Sequence, residues 1–263
     1  PPHALRMSAA DFDVVIVGGG IHGAGVAQAA AAGGYSALLL EREALAAGTS
    51  SRSSKLIHGG LRYLESAQFG LVRESLRERE ILLRNAPELV QRVAFFIPVY
   101  KTTRRRPWMI RAGLSLYALL GGLARHAGFE SVARSEWDAL DGLDTQSLQA
   151  VFRYTDARTD DALLTRAVMR SAQVLGAQLR CPANFLSASR QGEYFDVHYL
   201  DGQAECRCRA RTLVNAAGPW VNPVLQRVTP RPPMLAVELV QGAHILMEAE
   251  TQCGIYYVEA PGD

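Results

Sequence analysis

Apolar and polar positions fall into blocks along this chain, and the first block is the sharpest. Residues 13–17 (DVVIV) carry three valines and an isoleucine behind one acid, the pattern of a strand buried on both faces. Gly18, Gly19 and Gly20 interrupt the run, and residues 21–32 follow as an alanine-rich helix. A second apolar run, residues 35–40 (YSALLL), predicts the next strand. Strand, glycine turn, helix and strand in that order begin an α/β domain with a parallel sheet.

Later blocks are mixed. Phe69, Val72, Leu76 and Leu83 recur at helical spacing, which predicts a helix over residues 69–83 that Pro87 ends, with its RERE run on a solvated, ion-paired face. Residues 93–100 (VAFFIPVY) read as a strand, placed near a sheet edge by Pro98. Residues 104–126 are basic at both ends and apolar between. With Arg111 inside, the segment is too short and interrupted to span a bilayer. It reads either as a buried helix or as an interfacial helix with Trp108 at headgroup level. Residues 131–149 are polar and turn-rich. The acidic run 155–161 leads into a helix over residues 162–176, which Thr159 or Asp160 can cap and Gly176 can close, and its acids read as caps. Residues 177–180 begin another strand.

Residues 185–189, 194–200 and 205–210 read as an antiparallel meander with turns at Gly192 and Gly202. Residues 212–215 read as a separate buried strand running into Ala216, Ala217 and Gly218. The proline-rich stretch 229–233 marks a boundary, residues 235–246 are strand-like, and residues 256–258 belong inside a second sheet. The expected division is a discontinuous nucleotide-binding domain, residues 11–86 and 151–228, and a partial second domain, residues 87–150 and 229–263.

Composition narrows the partners. At 263 residues, 48% hydrophobic and 21% charged, the chain has ample material for a core. Its net charge of +2 gives no footprint for nucleic acid. Cys181, Cys206, Cys208 and Cys253 lack zinc spacing, so no metal site is expected and the thiols read as reduced. Residues 7–19 read as a natural amino terminus without a signal peptide, and no apolar run reaches the length of a membrane span.

The glycine turn carries the chemistry. Gly18, Gly20 and Gly23 give the pattern G-x-G-x-x-G. The first allows a sharp turn out of the strand, the second lets a pyrophosphate approach bare backbone, and the third lets helix and strand pack closely. The helix N-terminus then offers free N–H groups and partial positive charge. Glu41, about 20 residues beyond Gly20, can accept hydrogen bonds from ribose hydroxyls and would repel a 2′-phosphate. The pattern alone does not separate FAD from NAD; its place at the start of the chain leans to the ADP half of FAD. Residues 49–65 crowd hydroxyls, cations, His58 and a glycine pair into one polar stretch, a composition suited to wrapping an anionic or polar ligand.

Residues 53–65 (SSKLIHGGLRYLE), just after that fingerprint, resemble the FAD-dependent, quinone-linked aerobic glycerol-3-phosphate dehydrogenases. Residues 76–83 (LREREILL), 107–116 (PWMIRAGLSL), 155–163 (TDARTDDAL) and 213–221 (LVNAAGPWV) extend the resemblance over residues 11–257, the N-terminal half to two-thirds of such a protein. It implies a Rossmann-like FAD-binding domain of the two-dinucleotide-domain type with a partial, mostly antiparallel substrate domain. It also implies oxidation of sn-glycerol 3-phosphate to dihydroxyacetone phosphate with electrons passed to quinone, in the cytoplasm, at the inner face of the membrane. Ser53, Ser54, Lys55, His58 and Gly59 would line the flavin, Ala217 and Gly218 would touch it through backbone, and Arg62 beside Tyr63 would hold the substrate phosphate. His244 matches the family's active-site histidine, although Gln241 and Ala243 stand where the family commonly has Lys and Ser. On its own a histidine on an apolar strand reads first as a satisfied core group; the resemblance brings the proton-handling reading level with it. The family continues beyond residue 263, so the expectation is a fragment or truncated product with weak FAD retention and little turnover. A flavin oxidoreductase for amino acids or 2-hydroxy acids, and a non-catalytic nucleotide-binding fragment, remain open.

Overall fold

A computed structural model describes residues 10–122, 128–240, 242–245, 247–248 and 251–259. Met7, the far end of the 104–126 segment, Gln241 and Leu246 lie outside these. The chain divides into two units, the first formed by residues 1–53 and 160–243, the second by 54–159 and 244–263. This differs from the expected division. The helix over 69–85 and the strand over 148–159 belong to the second unit, whose own core they build.

The first unit opens with β1 (Phe12–Val17), α1 (Ile21–Ala32) and β2 (Ala37–Leu40). Here β2 starts two residues later than the apolar run: Tyr35 is exposed, and Ser36 donates from its Oγ and its N–H to the Asp13 carboxylate (2.8 and 2.9 Å). The second unit follows with β3 (Leu56–Ile57), α2 (Phe69–Asn85), β4 (Val90–Tyr100), α3 (Pro107–Leu120), β5 (Phe129–Ser131) and β6 (Leu148–Thr159). The chain then returns to the first unit through α4 (Asp161–Val174), β7 (Gln178–Arg180), β8 (Ala183–Gln191), β9 (Tyr194–Asp201), β10 (Ala204–Asn215), α5 (Val221–Leu225) and β11 (Val228–Thr229). Last comes β12 (Ile255–Tyr256), in the second unit.

In the first unit seven strands lie in the order β11-β8-β9-β10-β1-β2-β7. Pairing is parallel across β10-β1-β2-β7 and antiparallel across β8-β9-β10. Alternation along β1 sorts the core. Val15 and Val17 join Leu38, Phe185, Val197 and Ala210 on one face, while Ile16 joins Leu39, Ala24, Ala27, Met169 and Ala172 on the other. Small side chains on α1 let it lie close to both the sheet and α4. The α4 N-terminus is capped as expected, with the Asp160 carboxylate accepting from Leu163 N–H (2.9 Å). The two strands expected at 205–210 and 212–215 are a single strand, because polar Arg211 and Thr212 interrupt the apolar pattern without breaking the backbone ladder.

The second unit's sheet runs β12-β4-β6-β3, with β5 also on β6. It is antiparallel except for β12 beside β4. Two expectations change here. The acidic run 155–161, read as caps, lies largely in β6, and Asp156 is buried. Arg79 of the RERE run is buried against Asp156 instead of solvated. Pro98 lies near the sheet edge as expected: it pairs with β6 on one side, and on the other β12 reaches only Phe95 and Phe96, so among the described residues no strand needs its missing N–H. In addition, residues 235–240 and 242–245 form no strand, and residues 257–258 lie past the end of β12. Leu39→Ala should lower stability by about 2–5 kcal/mol, whereas the exposed Val174→Ala should change it by less than about 0.5 kcal/mol, measured by denaturant unfolding.

Candidate functional site: a glycine cradle and a polar loop

In the first unit the site begins where β1 stops. Gly18 has φ +112°, a conformation few side-chain-bearing residues adopt, and a Cβ there would lie 2.6 Å from the Ala216 carbonyl oxygen. Gly18 N–H donates to Leu40 O (2.9 Å) and Ala216 N–H to Val17 O (2.9 Å), so the turn is held between β2 and the end of β10. A Cβ on Gly23 would collide with Gly18 O, which explains how α1 packs onto the turn. Gly20 precedes the helix in extended conformation and has no side chain to cap it, and the first turn holds no acid. The positive helix end therefore faces an anion with no acid of its own first turn to repel it.

The flanks complete the cradle. The Glu41 carboxylate accepts from Gly19 N–H (2.7 Å) and Glu43 N–H (2.8 Å), leaving acceptor capacity for ribose hydroxyls. Ala217 and Gly218 follow β10 on the opposite side of β1, and Gly218 is exposed with φ +55°. Two contributors escaped sequence reasoning. Ser50 Oγ accepts from Ile21 N–H (2.9 Å) and so caps α1 from 29 residues away. Trp220 packs against Gly48 and under the Arg42 guanidinium (4.6 Å to the ring centroid). The hydroxyl cluster was visible in the sequence, but no local signal assigned Ser50 to a distant helix. Cradle, helix end and acid together fit the ADP half of a dinucleotide.

The polar loop is distributed over both units. Ser53 belongs to the first, where its N–H and Oγ both donate to Asp161 Oδ2 (3.0 and 2.7 Å), a second role for an acid read as a helix-end residue. Ser54, Lys55, His58, Gly59, Arg62 and Tyr63 belong to the second unit. Lys55 takes φ +58°, and its carbonyl accepts from Thr159 N–H (2.9 Å), which places it where β3 joins β6. His58 is exposed, and its Nδ1 accepts from Gly60 N–H (2.9 Å), so a neutral ring carries its proton on Nε2. Gly59 is buried; Arg62 and Tyr63 are exposed on the helical turn Leu61–Leu64. His244 lies in an exposed stretch without regular structure.

The second unit also holds a cavity of about 310 Å³. Leu61, Ile97, Met109, Ile110 and Leu116 are among its apolar walls, and Arg62, Glu65, Arg105 and Glu259 are its charged ones. Arg105 forks between Glu65 (2.5 and 3.0 Å) and Glu259 (2.9 Å). Nearby, α3 buries Leu114, Tyr117 and Ala118 and exposes Trp108 (70%), Met109 and Leu119. One face of this helix is core and the other is exposed. No helix of the described residues is long and apolar enough to cross a membrane.

Comparison with known proteins agrees with the cradle. The family model described as FAD dependent oxidoreductase matches residues 13–261. A glycerol-3-phosphate dehydrogenase of Pseudomonas aeruginosa is 42% identical over 241 residues, covering 90% of this chain and 45% of that protein. A D-erythritol 1-phosphate dehydrogenase of Brucella abortus is 40% identical over 238 residues, covering 89% of this chain and 47% of that one. Among solved structures, the glycerol-3-phosphate dehydrogenase of Bacillus halodurans complexed with FAD superposes with a TM-score of 0.60 at 28% identity, over 84% of this chain and 37% of that one. The chain spans about half the length of the curated relatives it matches.

The hydrogen bond from Arg105 holds the Glu65 carboxyl below its ordinary value of 4.5, and the hydrogen bond from Arg92 does the same for Glu80. Carboxyls lowered on folding add stability above the ordinary value and lose it as pH falls through the folded one. Acid titration of unfolding should therefore show stability dropping below about pH 4.5, and Glu65→Gln should reduce that drop by no more than about 1 kcal/mol, since Glu65 is exposed to solvent.

Proposed function

Because the chain belongs to the FAD dependent oxidoreductase family, we propose that it takes part in the FAD-dependent oxidation of a polyol phosphate, with sn-glycerol 3-phosphate oxidised to dihydroxyacetone phosphate. The single observation that carries the FAD reading is the cradle at Gly18, Gly20 and Gly23, where added side chains would meet neighbouring atoms and Glu41 closes the flank. These residues would hold the ADP half, with Ala217 and Gly218 opposite and Ser53, Ser54, Lys55, His58 and Gly59 lining the ring end. FAD supplies hydride acceptance when bound.

The remaining work falls to the chain. The Arg62 guanidinium pairs with the phosphate dianion, with Tyr63 beside it, and so orients the secondary alcohol. His244 takes the hydroxyl proton while the second hydrogen leaves the same carbon as hydride, so alcohol becomes ketone with two electrons and two hydrogens accounted for. In this reading a quinone at the inner face of the cytoplasmic membrane would take the electrons. Trp108, Met109 and Leu119 on the bare face of α3, with Arg104 and Arg106 at its start, support docking on an anionic lipid surface. The Brucella relative favours a second substrate of the same class, a longer polyol phosphate such as D-erythritol 1-phosphate.

Titration with FAD followed by flavin fluorescence should give saturable binding that Gly20→Val abolishes. Turnover with an artificial electron acceptor should favour phosphorylated polyols over amino acids and 2-hydroxy acids. Arg62→Ala should raise KM for the phosphate ester roughly 10- to 100-fold. Binding of NAD in place of FAD would overturn the cofactor, and turnover of an amino acid alone would overturn the substrate class.

A further inference from the structure

The second unit buries a cation and an anion that the proposed reaction does not use. Arg79 is 3% exposed and Asp156 is 2% exposed. Arg79 pairs with Asp156 Oδ1 and also donates to Thr155 O (3.3 Å) and to Glu80 (2.9 Å), which pairs in turn with Arg92 (2.8 Å). Asp156 Oδ2 accepts from the Tyr117 hydroxyl (2.8 Å), and that hydroxyl accepts from Gly59 N–H (2.7 Å). The chain of bonds thus starts at Arg92 on β4 and crosses α2, β6 and α3 to end on the polar loop.

Its direction is fully determined. A guanidinium only donates and a peptide N–H only donates, so the Tyr117 proton must point to Asp156. Burial, and then the charge on Asp156, raise the Tyr117 phenol above its ordinary value, which keeps that proton in place. Stability alone does not call for such a network: buried ion pairs are often replaced by apolar groups without loss. What the network does locally is hold one peptide. Gly59 has no slack, since a Cβ there would lie 2.6 Å from both the Leu76 side chain and the Tyr117 hydroxyl. His58 precedes it, with its ring already bonded to Gly60 N–H, and Arg62 follows three residues later.

We propose that Tyr117 is a positioning residue: its hydroxyl, oriented by Asp156 and Arg79, fixes the Gly59 peptide and with it the placement of His58 and Arg62. The proposal rests on the reading that this loop serves the flavin and the substrate phosphate.

The test is amide hydrogen exchange of the whole chain, read at residues 58–60. Tyr117→Phe should speed exchange there roughly tenfold or more. Tyr154→Phe removes a neighbouring buried hydroxyl that is not bonded to Gly59 and should leave the loop unchanged. The triple variant Arg79→Met, Asp156→Leu, Tyr117→Phe replaces the network with apolar groups; it should keep a wild-type unfolding midpoint yet exchange as fast as Tyr117→Phe. Unchanged exchange in Tyr117→Phe, or equal acceleration in Tyr154→Phe, would overturn the proposal. Exchange needs no cofactor. A parallel FAD titration, in which Tyr117→Phe should weaken binding several-fold, separates the cases: loss of protection in Tyr117→Phe together with a wild-type chain that binds no FAD would sink the flavin reading and leave the peptide clamp standing.

Discussion

Three backbone stretches meet at the end of β1 with no side chain between them. Gly18 lies against Ala216, α1 comes down onto Gly18 through Gly23, and β2 takes up the Gly18 amide. Much of the first unit can be understood as what permits this approach. The alanines of α1 surrender apolar area to let the helix sink onto the sheet, and Ile16, Leu39 and Met169 supply bulk around them. The place where β10 and β2 depart from β1 in opposite directions is where open sheets of this kind bind ligands. The cradle thus follows from packing.

The two units hold their chemically important residues by different means. In the first, the contacts are mainly from backbone, and the side chains involved (Glu41, Ser50 and Asp161) chiefly accept from backbone N–H groups. In the second, side chains bond one another across elements, and a buried ion pair stands behind an exposed loop. Backbone geometry of the first kind tolerates almost no substitution at its glycines. A side-chain network of the second kind is specific in orientation and costly when half-broken.

This difference decides what could be read from the sequence. The cradle is local: strand, glycines, helix and acid lie within some thirty residues, and β1 and α1 appear nearly where periodicity places them. The network is not local. Asp156 sits 77 residues from Arg79, so the one resembled a cap and the other a solvated charge. The same polar run concealed β6, the strand on which the second sheet is built, and with it the division between units. The polar loop was recognisable by composition. Its split, with Ser53 tied to Asp161 and Lys55 tied to Thr159, depends on the start of α4 and the end of β6, which no window around the loop contains.

Strand β10 changes partners along its length. Its first half runs antiparallel to β9, and its second half runs parallel to β1 and ends at Asn215, one residue before Ala216. A single inserted residue near Arg211 would turn every later side chain to the opposite face and carry Ala216 out of its seat beside Gly18. Length variation has harmless outlets instead at the hairpin tips around Gly192 and Gly202, which take up left-handed turns in solvent. The meander is therefore free to lengthen or shorten at its hairpin tips during divergence, while the join that carries it into the parallel strands must keep count to the residue.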